Sequence, residues 1–469
     1  MVLKCDTINL LKKFGGFVMK IIVVGTSHAG YEAVQTILKE DSNAEIHLYE
    51  RGETASFLSC GIQSYFEDIS PSLDSLHYAN EESYKDQGVN VHMNSDVVSV
   101  NPEAKTITVK TADGESEESY DKLFLSPGAV PIEIPIPGTD LDNLYYLRGR
   151  NWADKVKERM SSAKKAVVVG SGYIGIEVAE AYAKAGIDTT VIDSLNTILP
   201  TYLDKEFTSV LQENALEHGM KFHGGEKVQE IIGENGSVAK VVTDKGEYEA
   251  DTVVMAVGVR PNTQWLDGIL ARNERGFVEV SEQMQSTSNP DSYVAGDATL
   301  IPFAPTGEKR AIALASNARR QGVIAAKNML SDNKFEMPAV SGTSALSLFD
   351  YHFACTGVKD CDADSNTVDS KFYEETLRPK FIGDDTTVKM KIHFEKDTNR
   401  IVGAQLMSKK DVMFAINTVS TAISAGWTLE QLALADFFFQ PEYDKPWNFL
   451  NVLAQQALGE TFGSDKELF

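Results

Sequence analysis

The sequence predicts an α/β fold with two Rossmann-like nucleotide-binding domains and a C-terminal α+β domain. A short apolar strand, a glycine turn, a helical pattern and a second strand follow one another near residue 20, and the same order returns near residue 166. After about residue 338 the sequence changes to alternating apolar and polar residues, as at 388–394 and 400–406. Repeated strand–helix–strand units are typical of parallel sheets covered by helices, and alternation is typical of antiparallel strands.

The composition argues against two classes of partner. Of the 469 residues, 42% are hydrophobic and 24% are charged, and the formal net charge is −24. Such an acidic surface repels nucleic-acid phosphates and anionic membranes, and we therefore expect neither as a partner. No apolar run approaches the roughly 18 residues that span a bilayer, and residues 1–18 make a poor signal peptide because charges interrupt them. We therefore expect a cytoplasmic protein with an N-terminal extension at 1–18.

The first nucleotide-binding unit begins with M-K-I-I-V-V-G at 19–25, a pattern that predicts a buried parallel strand. Its turn has the spacing Gly25-x-Ser27-x-x-Gly30, so a serine replaces the middle glycine of the usual pattern. Glu50 follows Gly30 by twenty residues and ends the second strand. An acidic residue at this distance binds a ribose hydroxyl, while the turn and the helix after it bind pyrophosphate.

The second unit follows the pattern without a substitution. Its turn is Gly170-x-Gly172-x-x-Gly175, and Asp193 lies eighteen residues after Gly175, at the end of the next strand. A carboxylate at this position hydrogen-bonds the free 2′-hydroxyl of the coenzyme's ribose, which NADPH lacks because it has a phosphate there. We therefore expect NADH rather than NADPH. A single glycine triplet can be a structural turn, but two triplets, each with its acid, predict a flavin nucleotide and a nicotinamide nucleotide.

Strand patterns between and after the two units predict the domain boundaries. The segments 120–129 and 250–262 each read as a buried strand that ends in a glycine turn, and we interpret them as crossings between the domains. The predicted FAD-binding domain is therefore discontinuous, at 19–127 and 260–337. The NAD-binding domain is 128–259, and the C-terminal dimerisation domain is 338–469, with helical patterns at about 410–428 and 445–457.

Cys60 is the cysteine with a predicted chemical role. The four cysteines have neither the spacing of a disulfide framework nor that of a zinc site, and we expect no metal. Cys5, Cys355 and Cys361 are expected to be small buried hydrophobic residues. Cys60 lies in S-F-L-S-C-G at 56–61, where a helix N-terminus after Ser59 or a nearby histidine would favour its thiolate. An inert buried cysteine is the alternative.

From Met19 to about Leu458 the chain resembles the pyridine nucleotide–disulfide oxidoreductase superfamily. The resemblance rests on S-F-L-S-C-G (56–61), G-S-G-Y-I-G-I-E (170–177), V-G-V-R-P-N (257–262), A-G-D-A (295–298) and the D-F-F-F-Q-P segment (436–441). It is greatest to the branch with a single redox cysteine, because Tyr65 stands where the second cysteine of a C-x4-C pair would be. The resemblance implies that Cys60 cycles between thiolate and sulfenic acid beside FAD.

The resemblance also implies which residues bind the two cofactors. For FAD they are Gly25, Thr26, Ser27, His28, Ala29, Gly30, Glu50, Arg51, Cys60, Ser126, Pro127, Gly128, Ala129, Arg148, Asp297, Ala313, Leu314 and Ala315. For NADH they are Gly170, Gly172, Tyr173, Ile174, Gly175, Glu177, Asp193, Tyr202 and Gly258. Tyr173 is implied to cover the flavin until the nicotinamide enters.

Within this branch the sequence is most similar to NADH peroxidase, so hydrogen peroxide is the predicted substrate. The implied catalytic residues are Cys60, His28 near its sulfur, and Glu32 paired with Arg319. Glu32 could instead be a solvated helix residue, and His28 could cap its helix. The first alternative is a water-forming NADH oxidase acting on O₂, and the second is a coenzyme A disulfide reductase. A non-enzymatic redox sensor is a further alternative from another class.

The C-terminal domain is predicted to form a homodimer or a dimer of dimers. The D-F-F-F-Q-P segment falls where disulfide reductases of the superfamily have a His-Pro motif that serves the partner's active site. Here Gln440 replaces that histidine base, which a small substrate such as peroxide does not need.

Overall fold

The computed structural model describes residues 18–331 and 335–462. Cys5, and the predicted extension apart from residue 18, lie outside the described residues, as does the end of the predicted C-terminal domain at 463–469.

The first parallel sheet contains the first glycine turn and is built from two distant segments of the chain. Ile21, Ile22 and Val23 of its central strand are fully buried, as expected for a parallel strand covered on both faces. Helices His28–Glu40 and Ala315–Leu330 pack against each other beside it. In order across the sheet the strands are Ser292–Val294, Lys122–Leu125, Lys20–Val24, Glu45–Tyr49 and Asn90–His92.

The second parallel sheet repeats this arrangement around the second glycine turn. Its strands in order are Met220–Gly224, Asp188–Asp193, Lys165–Val169, Thr252–Met255 and Leu144–Tyr146. The helices of this part of the chain are Arg150–Met160, Tyr173–Lys184 and Lys205–Glu217. The two parallel sheets confirm the predicted fold class.

The segments that we interpreted as crossings lie side by side. Strand Ala129–Pro131 pairs antiparallel with Val259–Pro261, so the chain leaves the first sheet and returns to it through neighbouring strands. Two small antiparallel sheets extend the parallel ones. One has the strands Asp96–Asn101, Thr106–Thr111 and Gly114–Ser119, and the other has Val228–Glu234, Ser237–Thr243 and Glu247–Glu249.

The last part of the chain forms the predicted antiparallel sheet with helices. Its strands in order are Ser344–Leu348, Tyr351–Gly357, Ile401–Ser408, Thr387–Glu395 and Val368–Thr376. The helices are Ile416–Ser424, Leu429–Ala433 and Phe449–Leu458; the first and third agree with the predicted helical stretches, and Leu429–Ala433 lies between them. Among the described residues, no helix combines the length and the apolar character that crossing a membrane requires.

Candidate active site

The first glycine turn is shaped by contact between two strand ends. Gly25 has φ of +92°, and a Cβ there would lie 2.5 Å from the carbonyl oxygen of Ser126, so only glycine fits. The backbone N–H and the hydroxyl of Thr26 both donate to Oε2 of Glu50, at 3.2 and 2.7 Å. Ser27 has extended backbone angles, φ −73° and ψ −166°, so serine replaces the middle glycine without strain.

The second turn has the same construction. Gly170 has φ of +105°, and a Cβ there would lie 2.3 Å from the carbonyl oxygen of Ala256. The backbone N–H and the hydroxyl of Ser171 both donate to Oδ2 of Asp193 at 2.7 Å. In each turn the residue after the first glycine, Thr26 or Ser171, therefore hydrogen-bonds the carboxylate that ends the next strand and holds it in place.

Both turns fit a dinucleotide. Each leads into a helix of 13 or 12 residues, His28–Glu40 and Tyr173–Lys184, whose N-terminus receives no side-chain cap. The backbone N–H groups of these first turns are therefore available to phosphate oxygens, which the helix dipole also favours. The residues present suit FAD at the first turn and a nicotinamide dinucleotide at the second.

Other predicted cofactor residues gather at the carboxyl ends of the first sheet. Arg148 donates to Asp297 Oδ2 at 2.9 Å, and Gly128 lies against the guanidinium of Arg148. Asp297 sits in the tight turn Gly296–Ala298, whose first N–H donates to Gln321 Oε1 at 2.8 Å. No sequence pattern predicts this role of Gln321. The remaining predicted residues adjoin these: Arg51 after Glu50, Pro127 beside Ser126, Ala129 at the crossing, and Ala313 and Leu314 before the helix that begins at Ala315.

The structure brings His28, Glu32 and Arg319 together. Arg319 forms an ion pair with Glu32 Oε1 at 2.5 Å, and its Nε donates to His28 Nδ1 at 3.3 Å. Burial, and then the positive charge of Arg319, lower the pKa of His28, so its imidazole is favoured in the neutral form. Among the described residues His28 Nε2 is buried without a hydrogen-bond partner.

Tyr78 belongs to this cluster and was missed by the sequence analysis. Its ring stacks on His28 with centroids 5.1 Å apart, and the guanidinium of Arg319 lies 4.9 Å from its centroid. Burial is the main cause that raises the pKa of Tyr78 to about 12, and Cys60 is close enough to contribute. Tyr78 follows a short irregular segment with no periodic pattern, so only the folded chain reveals it.

Cys60 lies in the tight turn Ser59–Gly61, just before the short helix Ile62–Phe66. It is an exposed residue and is not disulfide-bonded. The expectation that its surroundings favour the thiolate is wrong for this structure, because the pKa of Cys60 is raised. Loss of water around the sulfur is the largest cause, and the negative charges of Glu177 and Asp297 add to it. Together they outweigh the hydrogen bond from the backbone N–H of Cys60 and the positive charge of Arg148, both of which lower the pKa.

Glu177, on the helix of the second turn, is close enough to Cys60 for its charge to act on the sulfur. Burial, and then the charges of Glu180 and Glu67, raise the pKa of Glu177 to about 7. The carboxyl group is therefore mostly neutral below pH 7 and ionised above it, so its repulsion of a thiolate at Cys60 grows as pH rises through neutrality.

We predict that Glu177→Gln accelerates alkylation of Cys60 by about threefold above pH 8 and changes it little at pH 6, because only the ionised carboxylate repels the thiolate. The measurement is the pH profile of iodoacetamide labelling at Cys60, read by mass spectrometry. Glu158→Gln, an exposed change on the neighbouring helix Arg150–Met160, is the control. An equal acceleration at pH 6 and pH 8.5 would contradict the electrostatic cause.

Tyr173 is held on both sides at the second turn. Its ring stacks on Tyr202 with centroids 3.8 Å apart, and its hydroxyl hydrogen-bonds Ser344 Oγ at 2.7 Å. Ile174 and Gly175 follow it in the helix, and Gly258 lies at the crossing with φ of +109°.

Cys355 lies beside Ser344 and is buried, as predicted. Cys361 is exposed, so the prediction that it is a buried hydrophobic residue is wrong.

A group of potential metal ligands lies elsewhere among the described residues. Asp204, Asp360 and His393 could together hold an ion. However, Lys391 Nζ lies 3.1 Å from Asp204 Oδ2 and 2.5 Å from Asp360 Oδ2, so both carboxylates already have a cation.

Comparisons with known proteins place these features in a family. The family described as "Pyridine nucleotide-disulphide oxidoreductase" matches residues 19–322, and its "dimerisation domain" matches residues 343–448. An NADH oxidase of Enterococcus faecalis is 43% identical over 94% of this chain and 99% of its own length. An NADH oxidase of Streptococcus pyogenes is 36% identical over 93% and 99%.

A solved structure agrees with these relatives. The water-forming NADH oxidase from Lactobacillus brevis, bound to NADH, is 37% identical and superposes with a TM-score of 0.91 over 94% of this chain and 98% of its own. These names do not support the prediction that NADH peroxidase is the nearest activity. They favour the alternative of a water-forming NADH oxidase.

Proposed function

The chain belongs to the pyridine nucleotide-disulphide oxidoreductase family, and from this premise we propose that it is a water-forming NADH oxidase that uses FAD. The observation that carries the proposal is the pair of matched nucleotide turns, together with an exposed Cys60 that has no disulfide partner. The names of the oxidase relatives support O₂ as the oxidant. The net reaction is 2 NADH + 2 H⁺ + O₂ → 2 NAD⁺ + 2 H₂O.

The chain's own residues hold the reactants in place. Glu50 and Asp193, each fixed by the hydroxyl residue of its turn, bind the ribose of FAD and of NADH. FAD, when bound, carries electrons from NADH toward oxygen. The uncapped helix N-termini after Gly25 and Gly170 bind the pyrophosphates.

Cys60 completes the reduction to water. Its thiolate attacks one oxygen of hydrogen peroxide, the O–O bond breaks, and Cys60–SOH and hydroxide form. Two electrons and a proton then return the sulfur to thiolate and release water. Neutral His28, with Nε2 free, is suited to donate a hydrogen bond to the departing hydroxide.

A second candidate function is NADH peroxidase. The observation that favours it is the ion pair between Glu32 and Arg319, the arrangement that the sequence resemblance implied for peroxidases. The two functions differ in whether O₂ itself is consumed.

Oxygen consumption by the wild-type enzyme separates these functions. We expect one O₂ consumed for every two NADH, with no oxygen returned when catalase is added at the end. A peroxidase would instead oxidise NADH rapidly with added peroxide under argon and consume little O₂ in air. Slow oxygen consumption beside fast peroxide turnover would contradict the oxidase proposal.

We also propose that the last part of the chain forms a homodimer. The match to the family's dimerisation domain supports this. So do large apolar and aromatic side chains left exposed in the segment 434–443 and nearby, because such patches mark protein interfaces. These are Phe414, Leu434, Phe438, Phe439 and Tyr443.

Asp193 is proposed to set the preference for NADH. We predict that Asp193→Asn lowers the ratio of kcat/KM for NADH to that for NADPH by about tenfold, because it removes a negative charge that would repel the 2′-phosphate. Asp188→Asn, an exposed change at the start of the same strand, is the control. An unchanged ratio in Asp193→Asn would show that Asp193 does not contact the ribose.

A further inference from the structure

Glu180 is a completely buried carboxylate that the nucleotide turns do not use. It lies in the helix Tyr173–Lys184, one turn after Glu177. Burying a carboxylate is costly unless its oxygens are paired and hydrogen-bonded. Glu180 has three donors, which come from three parts of the chain.

The first donor belongs to the helix that follows Cys60. Gln63 Nε2 donates to Glu180 Oε2 at 2.7 Å, and it also lies 3.0 Å from Glu67 Oε1 in the next turn. The helix Ile62–Phe66 has only five residues, and isolated helices so short are not stable. The bond from Gln63 therefore anchors the element that positions Cys60.

The second donor comes from the C-terminal sheet. The backbone N–H of Phe349 donates to Glu180 Oε1 at 2.6 Å. Phe349 lies in the turn between strands Ser344–Leu348 and Tyr351–Gly357 and has φ of 49°, a left-handed conformation that a bulky residue rarely adopts. The third donor, Lys184 Nζ, lies 2.9 Å from Glu180 Oε1 and is partly exposed.

We infer that Glu180 is a positioning residue that fixes the Cys60 turn against the nicotinamide-binding helix and the C-terminal sheet. The inference rests on the proposed role of Cys60 in reducing peroxide. One carboxylate holds the short helix after Cys60 through Gln63 and holds the turn of the sheet through Phe349. Glu177, whose charge acts on Cys60, lies one turn earlier in the same helix, so the bond from Gln63 also ties the Cys60 turn to the helix that carries Glu177.

Glu180→Leu tests this inference in the FAD-bound enzyme. Loss of a hydrogen bond to a charged group is expected to raise amide hydrogen exchange in residues 60–66 by about tenfold. Misplacement of the sulfur is expected to slow its reaction with peroxide by about ten- to a hundredfold, so that NADH oxidation releases measurable H₂O₂. Exchange in the strand Lys165–Val169 should stay unchanged.

Two variants make the test specific. Glu213→Leu makes the same change at an exposed glutamate on the helix Lys205–Glu217 and leaves Glu180 and its donors in place, so we expect neither local exchange nor peroxide release to change. Gln63→Leu removes the contact from the other side without altering the buried carboxylate, and it should reproduce both effects of Glu180→Leu. It also provides the test if Glu180→Leu does not fold.

Two results would overturn the inference. One is that Glu180→Leu and Gln63→Leu both behave like Glu213→Leu. The other is faster exchange spread evenly over the protein without peroxide release, which would indicate a purely structural role. If the wild-type enzyme does not form water from O₂, the proposed function fails, but the exchange of residues 60–66 still decides whether Glu180 anchors the turn.

Discussion

Cys60→Ser is expected to convert a water-forming oxidase into one that releases hydrogen peroxide. Serine retains the shape of the Ser59–Gly61 turn but cannot attack the O–O bond or form a sulfenic acid at neutral pH. The first two-electron reduction of O₂ does not need the sulfur, so NADH oxidation should continue. We expect H₂O₂ to rise from a trace to about one molecule per NADH, which is complete loss of the second step.

The measurement combines an oxygen electrode with a peroxide assay in the same reaction. Catalase added at the end should return about half of the consumed oxygen with Cys60→Ser and none with the wild type. Cys361→Ser is the matched control, because Cys361 is also exposed and not disulfide-bonded but lies outside both nucleotide turns. If Cys60→Ser still forms only water, Cys60 has no role in peroxide reduction.

Gly25→Ala is expected to give a protein that purifies without FAD. The new methyl group would lie 2.5 Å from the carbonyl oxygen of Ser126, and the residue would have to keep φ of +92°. Relief of the clash must move the strand end or the Thr26 turn away from the position that binds pyrophosphate. We expect FAD affinity to fall by about a hundredfold or more, which corresponds to about 3 kcal/mol.

Gly88→Ala separates the clash from the backbone strain. Gly88 has φ of +85°, but a Cβ there would meet nothing within 4 Å, so this variant has the strain alone. We expect it to retain FAD, as judged by the flavin absorbance per protein after gel filtration. Equal loss of FAD in both variants would show that a general loss of stability, and not the shape of the turn, is responsible.

The sequence was sufficient for the fold because its signals are local. A β-branched run before Gly25 or Gly170 specifies a buried strand, and the acid at Glu50 or Asp193 follows at a distance that the helix length fixes. The alternation at 388–394 likewise specifies a strand, although Lys391 and His393 at its polar positions are also buried. Each of these patterns depends on neighbours within one supersecondary unit, so no tertiary information is needed to interpret it.

The parts of the candidate site that the sequence could not predict depend on contacts between distant segments. Tyr78 stacks on His28 from a loop without periodicity, and Gln63 meets Glu180 across 117 positions of sequence. The expected thiolate at Cys60 failed for a related reason. A helix start can be recognised in the sequence, but the loss of water around the sulfur and the nearby charge of Glu177 follow only from how distant parts of the chain pack.

The paired strands Ala129–Pro131 and Val259–Pro261 have a consequence for engineering the enzyme. Because the two ends of the intervening segment are hydrogen-bonded to each other, the backbone enters and leaves this segment at one place. Segments whose ends meet tolerate exchange between proteins better than segments whose ends lie far apart. A coenzyme-binding module from an NADPH enzyme could therefore be grafted between these two strands, provided that it keeps Arg148 and Glu180, which contact the rest of the chain.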